Sequence, residues 1–392
     1  MTSAVIVDAV RTPGGKRNGK LRGWHAVDLA AETLRAIVER NDLDPAIVDD
    51  VIMGCVMQVG EQALNVGRNA ALAAGFPESV PATTIDRQCG SSQQALHFAA
   101  QGVIAGAYDV VIAAGVEHMT HTPMGSSVVR DLGFPFGPKV MGRYAERGGL
   151  VSQGISAEMI ADQWNISREE LDEFGARSQQ RAARATAEGR FEREIVPVAV
   201  KDDEGNDTGE VLSTDEGIRP DTTVETLATL KPAFKPDGKV TAGNSSQITD
   251  GAAAVLVMSE ERANALGLTP RARFHAFALA GVDPVTMLTG PIPATRAVLE
   301  KAKMRLEDID LVEINEAFAS VVLAWQRELD PDMDKVNVNG GAIALGHPLG
   351  ASGAKLMATL LNELERTGGR WGLETMCEGG GMANATIIER LG

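Results

Sequence analysis

Three features of the chain predict an α/β fold built on a duplicated unit. Short apolar runs alternate with amphipathic stretches, the pattern of strands separated by helices. The helix-and-strand passage at residues 32–54 recurs at 294–315: Leu43…Ile47-Val-Asp matches Leu306…Ile309-Asp, and Val51-Ile-Met-Gly matches Val312-Glu-Ile-Asn. A second passage recurs in the same order. A helix after Cys89 leads through Gly106 to a strand at Val110, and a helix opened by Gly350 ends at Gly368-Gly369 before a strand from Trp371. Two units repeated in one order point to duplication. The expected result is a mostly parallel sheet covered on both faces, doubled into two sheets that share central helices. Cys89 and Gly350 would start those helices.

The first half begins with a buried strand, Ala4-Val-Ile-Val-Asp, and a turn-rich loop, Arg11-Thr-Pro-Gly-Gly-Lys. Residues 28–40 read as an amphipathic helix with Asp28 as a possible cap. A strand follows from Val51, and an apolar run leads to Asp86-Arg-Gln-Cys-Gly-Ser-Ser around Cys89. Residues 119–248 break the repeat with Pro, Gly and aromatic loops, helices near 154–164 and 167–187, and a charged turn at Lys201. Apolar residues persist through this stretch, so it reads as an inserted subdomain and not a linker. Asp250-Gly-Ala-Ala-Ala-Val-Leu-Val-Met returns to the first half as a strand. The expected division is 1–118 plus 249–270 for the first half, 119–248 for the insertion and 271–392 for the second half.

With 392 residues the chain exceeds a usual single core. Its net charge of −16 argues against a nucleic-acid partner. An anionic small ligand remains compatible, because Arg177, Arg181, Arg184, Arg190, Arg193, Lys201, Arg219, Lys231, Lys235 and Lys239 gather in the insertion. A solvated helix face explains most of them equally well. The three cysteines, Cys55, Cys89 and Cys377, are too few and scattered for a disulfide framework or a zinc site. A reducing, cytoplasmic setting fits best. No secretory signal, peroxisomal address or membrane-spanning run is expected.

Ligands of α/β sheets bind beyond the carboxyl ends of strands. The residues there are Cys89, Asn315 in Asn-Glu-Ala-Phe-Ala, His347 in Gly340-Gly-Ala-Ile-Ala-Leu-Gly-His-Pro-Leu-Gly, and Cys377 in Cys-Glu-Gly-Gly-Gly-Met. A cysteine at a helix start feels the positive end of the dipole, which favours its thiolate, while flanking serines suit the orphan N–H groups there. Taken singly, Cys89 and Cys377 read equally well as small buried side chains, and Asn315 as a loop-backbone partner. Cys55 lacks a glycine loop or polar partner nearby and reads as core. Together, two thiols, an imidazole and an amide suit acyl-thioester exchange, with glycine N–H groups to hold an oxyanion.

Along its whole length the chain resembles the thiolase family of 3-ketoacyl-CoA thiolases and acetyl-CoA acetyltransferases, on those four motifs and on Gly251-Ala-Ala-Ala. The resemblance implies a five-layered αβαβα fold in a homodimer or homotetramer. It makes Cys89 the acyl-carrying nucleophile, His347 its base and Cys377 the acid/base for the carbon acid. One oxyanion hole would comprise His347 and an Asn315-held water, the other the N–H groups of Cys89 and Gly379. Ser246 would meet the pantetheine arm, Phe318 and the adjacent Ala317 would line its tunnel, and the insertion would cover coenzyme A. Its basic residues place the nucleotide end near Arg219 to Lys231. No cofactor beyond acyl-CoA and coenzyme A as substrates is implied. Acetoacetyl-CoA-specific members carry His-Met-Gly beside the acyl pocket. Ser152-Gln153-Gly154 stands here, which favours degradation of larger 3-ketoacyl-CoAs, from lipids or sterol side chains, over acetoacetyl-CoA synthesis.

Three rivals make other demands. A ketosynthase pairs its cysteine with two histidines, and Cys377 occupies the second place here. A non-catalytic acyl-CoA carrier on this scaffold should have lost one of the four residues. A redox dithiol is not supported by any Cys-x-x-Cys spacing.

Overall fold

A computed structural model describes residues 2–392. Strand β1 (Ala4–Arg11) is buried at every position. Helix α1 (Ala26–Arg40) turns Leu29, Leu34 and Ile37 to the core. Its cap is His25, whose imidazole accepts from the Val27 N–H; Asp28 instead lies in the first turn, where a carboxylate complements the helix dipole. Then follow β2 (Asp50–Gly54), α2 (Val66–Ala73), β3 (Ala82–Ile85), α3 (Ser91–Ile104) and β4 (Val110–His118). The intervening stretch carries α4 (Gln153–Gln163), α5 (Arg168–Ala187) and a hairpin of Val198–Lys201 with Asp207–Leu212. A capping box between Ser167 and Glu170 starts α5. Strand β5 (Thr249–Ser259) returns to the first half. The second half runs β6 (Ala272–Gly281), α6 (Pro291–Ala302), β7 (Leu311–Ile314), α7 (Ala319–Leu329), α8 (Ser352–Thr367), β8 (Trp371–Glu378) and β9 (Met382–Arg390).

The duplication is visible in the pairing. In the first half β1 runs antiparallel to β5 and β5 to β4, while β4 is parallel to β2 and β2 to β3. In the second half β6 is antiparallel to β9 and β9 to β8, β8 is parallel to β7, and Val336 bridges Val312 in parallel where β3 would lie. Order and direction therefore agree strand for strand. The sheet is mixed, not mostly parallel as the alternation suggested. A short glycine turn joins β8 to β9, and strands so joined run antiparallel. Nor are there two separate sheets: β1 meets β6 at Val5–Arg273 and Ile6–Ala272, giving one ten-stranded sheet.

Apolar side chains divide this assembly into layers. Helices α1 and α2 cover one face of the first half through Leu34, Ile37, Val51, Ile112 and Leu256. Helices α6 and α7 cover the far face of the second half through Val298, Trp325, Leu373 and Ile387. Between them lie α3 and α8, with Leu96, Val103, Met357 and Leu361 packed against Ile6, Val257, Phe274 and Ile388. The two central helices cross closely because Gly353 has no side chain: a Cβ there would strike the Gln93 backbone. Helix α8 begins at Ser352, after a 3₁₀ turn over Leu349–Ala351, so Gly350 precedes it and does not open it.

Candidate active site

Helix α3 begins two residues after Cys89, with Gly90 as its cap and no side chain bonded to its free N–H groups. The serines serve elsewhere. Ser91 accepts from the Arg87 N–H (2.9 Å) and donates to the Gln88 carbonyl, closing the turn before the helix. Ser92 accepts from the Ala354 N–H at 3.0 Å and so caps α8, not its own helix. Cys89 itself is buried against Val56, Met119, Leu349, Leu356 and Met376.

Burial, and then the neighbouring Glu378 carboxylate, push the Cys89 thiol up to about 12. The backbone N–H groups of Cys89 and Gly379 and the Gln153 side chain pull the other way by less. The resting group is therefore a thiol, because desolvation outweighs the donors around the sulfur, and a base must take its proton when it attacks. Those three donors nevertheless surround the sulfur. Gln153 opens α4, and its Nε2 would lie 3.4 Å from a Cβ on Gly379.

Cys377 lies within the end of β8, not beyond it, and is fully buried. Burial raises its thiol well above the ordinary value, with the charge of Cys89 the next cause, so the two sulfurs are neighbours. Cys55 is buried in the outer core of the first half.

His347 hangs from the loop between Val336 and α8. Its Nδ1 lies 2.5 Å from the Ser352 hydroxyl, which itself donates to the Pro348 carbonyl at 2.9 Å. With that hydroxyl proton committed, Nδ1 must donate, which leaves Nε2 as the acceptor. Asn315 Nδ2 points at Nε2 from 3.3 Å. The asparagine thus touches the ring directly. Burial, and secondarily the charge of Lys355, lower the imidazole to about 3 and keep it neutral. Lys355 donates to the carbonyls of Leu345 and Gly346, pinning the loop just ahead of His347. Burial lowers the lysine to about 8, while Asp215 opposes the shift.

A second group extends from Gln153. Gly154 packs on the Phe234 ring, and Phe234 meets Phe318 edge to face at 5.9 Å. The half-buried Ser246 donates its N–H to the Ala317 carbonyl at 3.0 Å, and Ser245 bridges Phe318. On another side lies a cavity of about 720 Å³ walled by Phe134, Phe136, Met141, Tyr144, Met287 and Gly380, with Ser152 at its edge. Gly380 follows Gly379 and Ser152 precedes Gln153, so the cavity begins one residue from two of the donors at the Cys89 sulfur. An ion pair of Arg147 with Asp283 ties its two walls together.

The family models for the thiolase N-terminal and C-terminal domains match residues 4–261 and 268–390. The chain belongs to the thiolase family. This thiolase is 51% identical to the steroid 3-ketoacyl-CoA thiolase FadA6 of Mycobacterium tuberculosis, covering 100% of this chain and 95% of that one. It is 49% identical to the 3-ketoacyl-CoA thiolase of Serratia proteamaculans over 100% of both. The crystal structure of the Bacillus anthracis acetyl-CoA acetyltransferase superposes with a TM-score of 0.91 at 43% identity, covering 100% of this chain and 99% of that one. As a thiolase it is an acyltransferase with acyl-CoA and coenzyme A as substrates.

The basic residues of the insertion are mostly engaged in holding this thiolase together. Arg181 donates to the carbonyls of Val336, Asn337 and Met333, Arg190 to Asn339, and Lys235 and Lys239 pair with Asp162. Arg219 and Lys231 are exposed. Sequence reasoning missed Ser352, Lys355 and Glu378. Ser352 and Lys355 stand five and eight residues after His347, a spacing that gains meaning only once the loop folds back on the start of α8.

Proposed function

We propose that this thiolase works in the direction of cleavage, splitting a 3-ketoacyl-CoA with free coenzyme A into acetyl-CoA and a shortened acyl-CoA, and that its acyl group is bulky and apolar. The cavity beside Gly380 and Ser152 carries this reading. Its volume falls in the range of about 300–1,000 Å³ typical of pockets for drug-sized ligands, and its walls are mainly aromatic and aliphatic, with Lys139 and Arg143 the charged side chains among them. The acetyl group of the biosynthetic reaction has no use for such a space. The name of the mycobacterial relative supports a sterol-derived or branched acyl chain.

The chemistry follows from the groups present. The Cys89 thiol passes its proton to His347 Nε2 as sulfur attacks the 3-keto carbon, and the N–H groups around Cys89 and Gly379 hold the oxyanion. As the carbon–carbon bond breaks, the electron pair goes to the α-carbon of the leaving acetyl-CoA, and Cys377 supplies the proton. Coenzyme A then attacks the acyl-Cys89 thioester. The protonated His347 returns its proton to the departing Cys89 sulfur, and the coenzyme A thiol proton goes to the Cys377 thiolate, so both cysteines end as thiols. Asn315 steers the imidazole through its 3.3 Å contact, and a water between Asn315 and substrate completes the second hole. The reaction consumes the 3-ketoacyl thioester and one free coenzyme A thiol.

The pantetheine arm runs past Ser246, Ala317 and Phe318, residues 119–248 lie over coenzyme A, and Arg219 reaches its nucleotide end. The chain is read as a cytoplasmic homodimer or homotetramer, with β3 at an open edge of the sheet. Thiolysis rates across 3-ketoacyl-CoAs, from acetoacetyl to a sterol side chain, test the proposal. Higher kcat/KM for the bulky members supports it. A maximum at acetoacetyl-CoA overturns the substrate assignment. A single acyl transfer without turnover would favour the non-catalytic carrier instead.

A further inference from the structure

A polar seam runs through the middle of this molecule, directly beneath the cysteine pair. From the cap of α3 onward Gly90, Gln93, Gln94 and His97 recur at helical spacing, and the three side chains are buried. They face β8 and β9. Gln93 donates to the Glu374 carbonyl (3.1 Å) and to the Thr386 hydroxyl (2.9 Å), His97 contacts the same hydroxyl at 2.7 Å, and Asn384 donates to the Gly90 carbonyl at 3.2 Å. Glu374, Met376 and Glu378 alternate along β8 and so share the face turned to this seam.

Glu378 ends the row at the level of Cys89. Its carboxyl sits under Gly90 so tightly that a Cβ there would strike Glu378 Oε1 and come within 2.7 Å of Asn384 Oδ1. Among the described residues neither Glu378 oxygen has a hydrogen-bond partner. A buried carboxylate without donors is costly, and such groups normally stay protonated.

We propose that Glu378 is a positioning residue for the nucleophile, whose carboxyl, wedged beneath Gly90 and beside both thiols, sets the charge that Cys89 meets when it gives up its proton. Neutral Glu378 lets sulfur ionise toward His347; ionised Glu378 opposes it. The supporting shifts agree. Burial pushes the Glu378 carboxyl up to about 8, with Arg87 pulling down and Asp86 pushing up. After burial, Glu378 is the largest upward push on Cys89, and it acts on Cys377 as well. The charged and titratable groups around it are Asp86, Arg87 and Cys89 ahead of α3, His97 further along α3, and Cys377 and Glu374 on its own strand. β9 offers only Asn384 and Thr386, and Lys355 of α8 faces Asp215. Glu374 is the natural control. It is buried on the same face, also unpartnered, and interacts with Glu313.

The inference rests on Cys89 being the nucleophile, so its test reads that thiol directly without turnover. The holoprotein is alkylated with iodoacetamide between pH 6.5 and 10, and the label on Cys89 is quantified by peptide mass spectrometry. Only thiolate reacts, so the logarithm of the rate climbs one unit per pH unit while the thiol is mostly protonated. Wild type should bend downward above pH 8 as Glu378 ionises. Glu378→Gln should stay straight and react several-fold faster near pH 9.5, with about tenfold for each unit the thiol is displaced, while matching wild type at pH 6.5. Glu374→Gln should bend like wild type. A straight wild-type line overturns the proposal whatever the variants do, as does the same bend in Glu378→Gln. Failure of the catalytic reading would look different: an acyl-CoA would then label a residue other than Cys89.

Discussion

Cys89 and Cys377 are neighbouring buried thiols, and chemistry separates their tasks. Acyl exchange between Cys89 and coenzyme A moves no carbon-bound proton, whereas cleavage and condensation do. Positioned acid–base groups contribute about 10²–10⁴-fold. Cys377→Ala should therefore lose thiolysis by that order and retain most exchange of labelled coenzyme A into acyl-CoA, and Cys89→Ala should lose both. Equal losses of exchange and thiolysis in Cys377→Ala would place Cys377 in the first step too. His347 gives a second prediction. Its folded value of about 3 lies below the ordinary 6.5, so the folded state binds fewer protons than the unfolded chain between those values. The imidazole stays a competent acceptor in mild acid, and the acid limb of kcat/KM should fall well below pH 6.5. The same group contributes stability that is present above 6.5 and lost as pH falls toward 3. Both readouts are compared with His347→Gln; an inflection near 6.5 in wild-type kcat/KM, absent from the variant, would oppose the assignment.

At the scale of elements, the start of α8 depends on a residue of α3. Ser92→Ala removes the acceptor for the Ala354 N–H, and loss of such a cap costs about 1 kcal/mol. Chemical denaturation should show that loss, while acylation of Cys89 persists in the folded variant. The insertion supplies the other prediction at this scale. Arg219 is exposed and offers its charge to solvent. Arg219→Glu should raise the KM for coenzyme A substrates about tenfold or less, the range of an exposed charge contact weakened by screening. Small pantetheine thioesters, which lack the nucleotide, should be unaffected. Equal losses with both would move the nucleotide end elsewhere.

Across the whole molecule, one buried cluster ties the insertion to the duplicated core. Arg11 at the end of β1 donates to Glu194 (2.6 Å) and grips Asp215 with two nitrogens (2.7 and 3.0 Å). All three side chains are buried, and Asp215 faces Lys355, which holds the His347 loop. Removing one partner of a buried ion pair costs roughly 3–5 kcal/mol, because it strands the opposite charge. Arg11→Leu should lower the unfolding free energy by that order in urea titration. Its residual activity in the folded fraction should fall as well, since Asp215 then turns its full charge on Lys355. An unchanged midpoint would mean the cluster is solvated in solution.

Local patterns in the chain were enough to reveal the repeat, the helices near 154–164 and 167–187, the strand-end positions of Cys89 and Asn315, and the motifs that mark a thiolase. Periodicity and turn chemistry act over a few residues, so they are written in consecutive positions. Strand direction is only partly local: the glycine turn fixes β8 against β9, but β5 reaches the sheet only after the long insertion and docks antiparallel between β1 and β4. The burial that sets the protonation of Cys89 is not local either. A helix start is visible in Gly90-Ser-Ser, but the burial that raises the thiol comes from Val56, Met119, Leu349 and Met376, all remote in sequence. The capping of α8 by Ser92, the steering of His347 by Ser352 and Lys355, and the carboxyl of Glu378 beneath Gly90 likewise exist only once α3 and α8 cross. Residue types and spacings determined which chemistry this protein carries. Packing decided the proton on each group, because desolvation depends on neighbours that the chain brings together from every part of its length.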